Sequence, residues 1–219
     1  METDADPQLG RIVANMPVLE MLQLPRSWME RCTKEHQCCR HVDGPDLPTP
    51  TRLLDIGLQS ADTIRLVEVS TDCHLPYAAL SHCWGGEQSF TTSKESLPAR
   101  KAGIRFDQLP LTFQHAIIVC RNLGLSHLWI DSLCIVQGDA GDWSSEALRM
   151  KSVYSNATLV ISASRSTGDS TGFLSSRTTG ELLAIPFDND GIHSMLHLQR
   201  VIRSLTPYAD ALALSLIHI

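Results

Sequence analysis

Several things are missing from this sequence of 219 residues. No apolar run approaches the ~18 residues needed to cross a bilayer. The first ten residues are acidic and polar rather than basic and then apolar, which predicts neither a signal peptide nor a membrane span. A basic excess is lacking too: 18 Lys and Arg stand against 24 Asp and Glu, for a net charge of −6. The basic residues are scattered rather than striped, which argues against a nucleic-acid partner. No Cys-x-x-Cys pair occurs, and the 7 cysteines are odd in number. Cys120 and Cys134 sit inside apolar runs and read as reduced thiols in a reducing, cytoplasmic compartment. There is no internal repeat. What remains is an ordinary globular composition, long enough for one domain with an extension.

Along the chain, an amphipathic segment over 12–24 ends at Pro25, and a second short helix is predicted over 27–36. Pro45, Pro48 and Pro50 exclude helix and central strand, so 44–51 reads as a linker. Strands are predicted at 64–69 and 77–82; the short connection between them leaves no room for a crossover helix and predicts an antiparallel pair. Residues 89–107 are polar and suggest no element. Pro110 and Thr112 mark a helix start, with Thr112 as N-cap and Gly124 as the stop. The succession helix 112–123, strand 127–135, helix 143–155, strand 158–164 is a βαβ pattern. Weak strand signals follow near 182–187.

The most informative stretch is Leu128-Trp-Ile-Asp-Ser-Leu-Cys-Ile135, followed by a glycine-punctuated loop and the helix from Trp143. A near-continuous apolar run suits a strand covered on both faces, so Asp131 within it must be paired or hydrogen-bonded. Its expected role is to hold the loop 137–142. In open α/β sheets the carboxyl end of such a strand forms the ligand crevice. Ser81-His-Cys-Trp-Gly-Gly86 ends the 77–82 strand and should approach the same place. There Ser81 is expected as a ligand contact, Gly85 and Gly86 permit close backbone approach, and Trp84 either stacks on a ring or lids the core. His82 and Cys83 point to opposite faces and cannot pair with each other; either needs a partner such as Cys134 or Asp131. On the following helix Trp143, Ala147, Met150 and Tyr154 are expected to be buried, with Glu146 on the flank of that stripe facing the crevice beside Gln137. Near the N-terminus, Cys32, His36, Cys38 and Cys39 offer soft ligands without the usual zinc spacing, and so no metal site is assigned.

Taken in order, Tyr77-Ala-Ala-Leu-Ser-His-Cys-Trp-Gly85, Leu109-Pro-Leu-Thr-Phe-Gln-His-Ala-Ile117, Leu128-Trp-Ile-Asp-Ser-Leu-Cys-Ile135, Asp142-Trp143, Met150, Tyr154 and Asn156-Ala157 resemble the fungal heterokaryon-incompatibility (HET) domain. Gly172-Phe-Leu174 and Arg177 look like its closing segment. His115 stands where the family usually has Asp, and a later Gly-Arg-x-Trp-x-x-Gln-Glu block is absent.

The resemblance implies a module of non-self recognition and programmed cell death. It also implies an α/β fold similar to the Toll/interleukin-receptor (TIR) domain, a flavodoxin-like, mainly parallel sheet flanked by helices. Some TIR domains cleave the nicotinamide bond of NAD with a glutamate in a comparable helix. That analogy makes NAD a candidate substrate, with no other cofactor. Glu146 and Asp131 become the expected catalytic residues, and Ser81, Trp84, Gly85 and Gln137 the expected ligand contacts. The alternative is a non-catalytic module that signals by self-association or with other cell-death proteins. The expected organisation is a helical extension over 1–47 holding the Cys/His cluster, a lead-in linker and strand over 48–76, and an incomplete HET domain over 77–213. The last residues, 214–219, read like a translated transposon end and are expected to be a loosely packed, non-native tail.

Overall fold

The structure is a computed structural model and describes residues 22–35, 50–58, 61–70, 75–85, 90–174, 182–189, 192–199 and 215–217. Its centre is three parallel strands: β3 (Ala78–Ser81), β6 (His127–Ile130) and β8 (Leu159–Ser162). β3 lies between the other two, with Ala78 level with Leu128 on one side and Leu159 on the other. Ala78, Ala79 and Leu80 are all fully buried, as a strand covered on both faces requires. Helix α3 (Leu111–Asn122) connects β3 to β6 and buries Phe113, Ala116, Ile117 and Cys120. Helix α5 (Ala140–Ser155) connects β6 to β8, and its Tyr154 ring meets Trp129 edge-on at 5.5 Å. The chain steps one way from β3 to β6 and back across β3 to β8. Right-handed crossovers therefore put the two helices on opposite faces, with the reversal of direction at β3.

Antiparallel strands extend this centre on both sides. β1 (Arg52–Asp55) pairs with β6 and with β2 (Thr63–Glu68), and β2 pairs with the two-residue β5 (Ile104–Arg105). β11 (Ser215–Ile217) pairs with β8 at the other edge, giving the order β11-β8-β3-β6-β1-β2-β5. The smaller elements are α1 (Gln23–Glu35), β4 (Thr92–Ser93), α2 (Leu97–Ala102), the helical turn α4 (Asp131–Cys134) and β7 (Val136–Gln137). β4 pairs with β7, and β9 (Leu182–Asn189) forms a separate hairpin with β10 (Ile192–Gln199).

The sheet is therefore α/β but mixed rather than mainly parallel: among the described residues, two of its six neighbouring pairs are parallel. The physical reason is β1. Leu53, Leu54 and Ile56 are buried in the core between β6 and β2, so the segment expected as a lead-in is a strand paired antiparallel with β2. The expected antiparallel pair of 64–69 with 77–82 does not form. β2 and β3 run in the same direction, separated by β1 and β6. The expected strand over 127–135 stops at Ile130, and Asp131 opens α4, whose Ile135 N–H returns to the Asp131 carbonyl at 3.0 Å.

The remaining differences are local. Residues 92–108 are ordered as β4, α2, β5 and a 3-10 turn rather than irregular. Pro25 lies in the first turn of α1 instead of ending a helix, at a position where a missing N–H costs nothing. The α3 boundaries lie within one residue of the expected 112–123, and Gly124 (φ +80°) follows the helix end, but Pro110 is the N-cap and Thr112 is buried inside the first turn. Residues 215–217, expected as part of a loose tail, pair along β8; residues 12–21 and 201–214 lie outside the described residues.

Candidate functional site

Each of the three parallel strands delivers an ionisable side chain at its carboxyl end. His82 follows β3, Asp131 follows β6, and Asp169 lies in the loop after β8. Trp84 donates its indole N–H to Asp131 Oδ2 at 2.9 Å, and the Ser132 backbone N–H donates to Oδ1 at 2.7 Å. His82 Nδ1 lies 3.9 Å from that same Oδ1, while Nε2 lies 3.0 Å from Asp169 Oδ1. The His82 side chain is 1 % exposed, Asp169 6 % and Asp131 18 %, so Asp131 is the member that meets solvent. Neither His82 nitrogen nor Asp169 Oδ1 makes a well-aligned hydrogen bond. Burial pushes the His82 imidazole down to about 4 and Asp169 up to about 6, the latter helped by the nearby Asp131 charge. It also raises Asp131, against the pull of the Ser132 and Trp84 hydrogen bonds. The interior thus favours the neutral form of every member.

The loop carrying Asp169 is tied to α3. Thr112 Oγ1 donates to the Gly168 carbonyl at 3.0 Å and accepts the Gly172 N–H at 3.1 Å, and its backbone N–H reaches the Asp169 carbonyl at 2.9 Å. His115 Nδ1 accepts from both Phe173 N–H (2.9 Å) and Leu174 N–H (3.0 Å), a role that requires the neutral ring; burial lowers its pKa accordingly. Gly85 has φ +80°, and a Cβ there would meet Gly168 Cα at 3.2 Å. The close backbone approach expected at Gly85 is therefore to the chain's own loop. Gly86 lies outside the described residues.

A second group sits on the β1 side of Asp131. Arg52 donates from Nε to the Cys134 carbonyl at 2.7 Å and from Nη2 to Asp142 at 2.6 Å. Asp142 also accepts the Val136 N–H, and Asp139 caps α5 by accepting from Gly141 and Asp142. These two carboxylates, rather than Asp131, hold the 137–142 loop. Glu146 is 2 % exposed, bonded through Oε1 to the Thr51 hydroxyl, with Oε2 buried and unpartnered. It is thus inside the buried stripe of α5, not on its flank, while Trp143 is 58 % exposed. The reason is the helix phase: Asp142 and Glu146 turn inward because Arg52 of β1 and Thr51 just before it are their partners.

The expected site residues accordingly divide. Trp84 and Asp131 are in direct contact, and Glu146 lies near the same sheet end beside Thr51. Ser81 is exposed and level with Ser162. The half-buried Gln137 spends its amide on the Ile135 carbonyl at 3.1 Å. Burial pushes the Cys134 thiol up to about 12, which removes it as a nucleophile beside His82. Asp169 was not anticipated; the strand-end rule applied to the last parallel strand points to it.

Cys32 is half-buried on α1, whereas His36, Cys38 and Cys39 lie outside the described residues. Among the described residues no group of His, Cys, Asp or Glu is arranged to hold a metal ion, and no helix is long and apolar enough to cross a membrane. A groove of about 510 Å³ runs between α1 and the end of α3, near the amino end of β6. Its Arg26 is occupied by the Asn122 carbonyl at the end of α3, and its Arg121 by the carbonyl oxygens of Ile56 and Ala61, which ties α3 to the chain between β1 and β2.

The family model described as heterokaryon incompatibility protein (HET) matches residues 77–203, more than half of the chain. Neither the curated proteins nor the solved structures returned a match. β1 and β2 precede the matched segment, yet they pair into the same sheet, and Arg52 of β1 with Thr51 just before it supplies the partners of Asp142 and Glu146. The matched segment carries all three parallel strands and the His82, Trp84, Asp131 and Asp169 cluster at their carboxyl ends, and on that match the chain belongs to the heterokaryon incompatibility (HET) family.

Proposed function

We propose that this chain is a cytoplasmic effector of non-self recognition and cell death that hydrolyses the N-glycosidic bond of NAD or a related nucleotide at the carboxyl ends of β3, β6 and β8. This would be a TIR-like use of a mixed sheet. The reading rests on the contact between Trp84 and Asp131. A half-exposed indole fixed by a hydrogen bond offers a stacking face for a nicotinamide or adenine ring. The carboxylate that fixes it is the solvent-facing member of the cluster, placed to stabilise a cationic sugar or to take a proton from water. Glu146, at 2 % exposure and bonded to Thr51, acts in this reading from behind the crevice rather than on the substrate.

The purified chain incubated with NAD should release nicotinamide. Asp131→Asn should lower kcat/KM by about 100-fold or more, the scale of a lost general base, and Glu146→Ala by less. No nicotinamide from a folded wild-type chain would overturn the hydrolase reading. The second reading, signalling by self-association, is favoured by the apolar groups that α5 exposes, Trp143 at 58 % and Leu148 at 87 %. Substituting both with Ser would abolish cell killing in that case and spare it in the first.

A further inference from the structure

We propose that Asp131, His82 and Asp169 form one proton-carrying chain, in which Asp131 is the base that meets the substrate and His82 and Asp169 are positioning residues that take the proton inward. The proposal rests on the hydrolase reading and adds a route for the proton. Three observations carry it. The imidazole stands between two carboxyl groups, 3.9 Å from Asp131 Oδ1 through Nδ1 and 3.0 Å from Asp169 Oδ1 through Nε2. The order of exposure, 18 % for Asp131, 1 % for His82 and 6 % for Asp169, allows only Asp131 to reach a substrate. The two His82 nitrogens and Asp169 Oδ1 are buried without an aligned partner, an arrangement that costs free energy unless these groups bond to one another.

The ring itself is held by packing. Phe113 of α3 meets His82 edge-on at 5.2 Å, and the loop bearing Asp169 is fixed by Thr112 and Ser166. Catalytic hydrogen bonds are often long before substrate binds and tighten in the complex, and the proposal has the 3.9 Å gap close in that way.

The steps balance. The C1′–N bond breaks with its electron pair going to the pyridinium nitrogen, so nicotinamide leaves neutral and needs no acid. A C1′–O bond forms with water, whose proton goes to the Asp131 carboxylate. Asp131 passes that proton to His82 Nδ1 while the Nε2 proton moves to Asp169 Oδ1, so the imidazole stays neutral and changes tautomer. After the product departs, the chain runs backward and the proton leaves through Asp131 to bulk water. Burial raises Asp169 to about 6, which suits it to hold a proton transiently near neutrality.

The test uses the whole chain labelled with 15N-histidine. At pH 7 His82 should be a neutral ring protonated on Nε2. Asp169→Asn should shift the tautomer toward Nδ1–H, whereas Asp131→Asn should leave Nε2–H in place. An imidazolium at pH 7, or a tautomer indifferent to Asp169→Asn, would overturn the chain of proton transfer, and the wild-type spectrum alone decides the first point even if a variant fails to fold. In the nicotinamide assay, Asp169→Asn should move the acidic limb of the pH–rate profile to lower pH, because a neighbouring negative charge has gone. His82→Gln should lower kcat about 10- to 100-fold with KM little changed. An unmoved limb with unchanged kcat would refute the proposal. A wild-type chain that releases no nicotinamide refutes the hydrolase reading, and the spectrum then decides the proton arrangement by itself.

Discussion

At the scale of single residues, Trp84 does two things at once: it presents a ring face and tunes the carboxylate behind it. The indole N–H bond to Oδ2 lowers the proton affinity of Asp131, opposing the burial that raises it. Trp84→Phe retains most of the ring and removes the donor. Since Asp131 keeps 18 % exposure, water can replace the lost partner and the stability cost should be about 1 kcal/mol. The Asp131 titration, followed by carboxyl 13C chemical shift, should move to higher pH. A titration that stays in place would show that the bond contributes nothing to the carboxylate. Asp169→Asn should move the same titration the other way, so the two substitutions separate hydrogen bonding from charge repulsion at one group.

At the scale of elements, Arg52 joins β1 to the turn α4 and to the start of α5. With side-chain exposures of 6 % and 19 %, Arg52 and Asp142 form a largely dry pair, and Arg52→Met leaves a carboxylate and the Cys134 carbonyl without their donor. The expected loss is about 3 kcal/mol in denaturant unfolding, with most of it recovered in the double variant Arg52→Met, Asp142→Leu. A single variant as stable as the wild type would show that the pair is not needed to hold the 135–142 segment. Missing β1 in the sequence had consequences at this scale. Residues 52–57 are short, follow a proline-rich stretch and end at Gly57, so nothing in them distinguishes a central strand from a lead-in. Without β1, Arg52 and Thr51 do not emerge as partners, so the sequence points Glu146 toward the crevice and gives Asp142 no partner. The core of the fold was legible because its signals are local: the apolar run of β6, the helical spacing of Phe113, Ala116, Ile117 and Cys120, and the stop at Gly124. The candidate site was half legible. Trp84 follows a strand that the pattern identifies, whereas Asp131 stands out as the carboxylate inside an apolar run although the strand itself ends one residue before it. Asp169 sits in a Ser, Thr and Gly-rich loop whose relation to the site is set only by tertiary ties through Thr112 and His115.

At the scale of the whole molecule, the buried histidines and the buried carboxyl groups act against each other in acid. His82, held down to about 4, binds a proton more weakly in the folded chain than in the unfolded one, where its ordinary value is 6.5. Its contribution to stability is complete above pH 6.5 and is lost as the pH falls toward 4; His115 and His127, also lowered by burial, lose stability in the same direction. Asp169 has the opposite sign. Raised to about 6 from an ordinary 3.8, it binds its proton more tightly when folded, so it destabilises the chain above pH 6 and this penalty disappears as the pH falls through 6 toward 4. Asp131, raised by the same burial, adds to that compensation. Asp169→Asn removes the penalty. The variant should therefore be more stable than the wild type at pH 8, by up to about 3 kcal/mol for a rise from 3.8 to about 6 at about 1.4 kcal/mol per tenfold change in proton affinity. That advantage should shrink toward zero near pH 4, leaving the variant with the steeper acid loss. Urea midpoints at pH 8, 6 and 4.5 measure it directly. A constant gap between variant and wild type across that range would mean that Asp169 holds no proton of its own in the folded chain, and the balance among the three strand-end groups would have to be assigned to His82 and Asp131 alone.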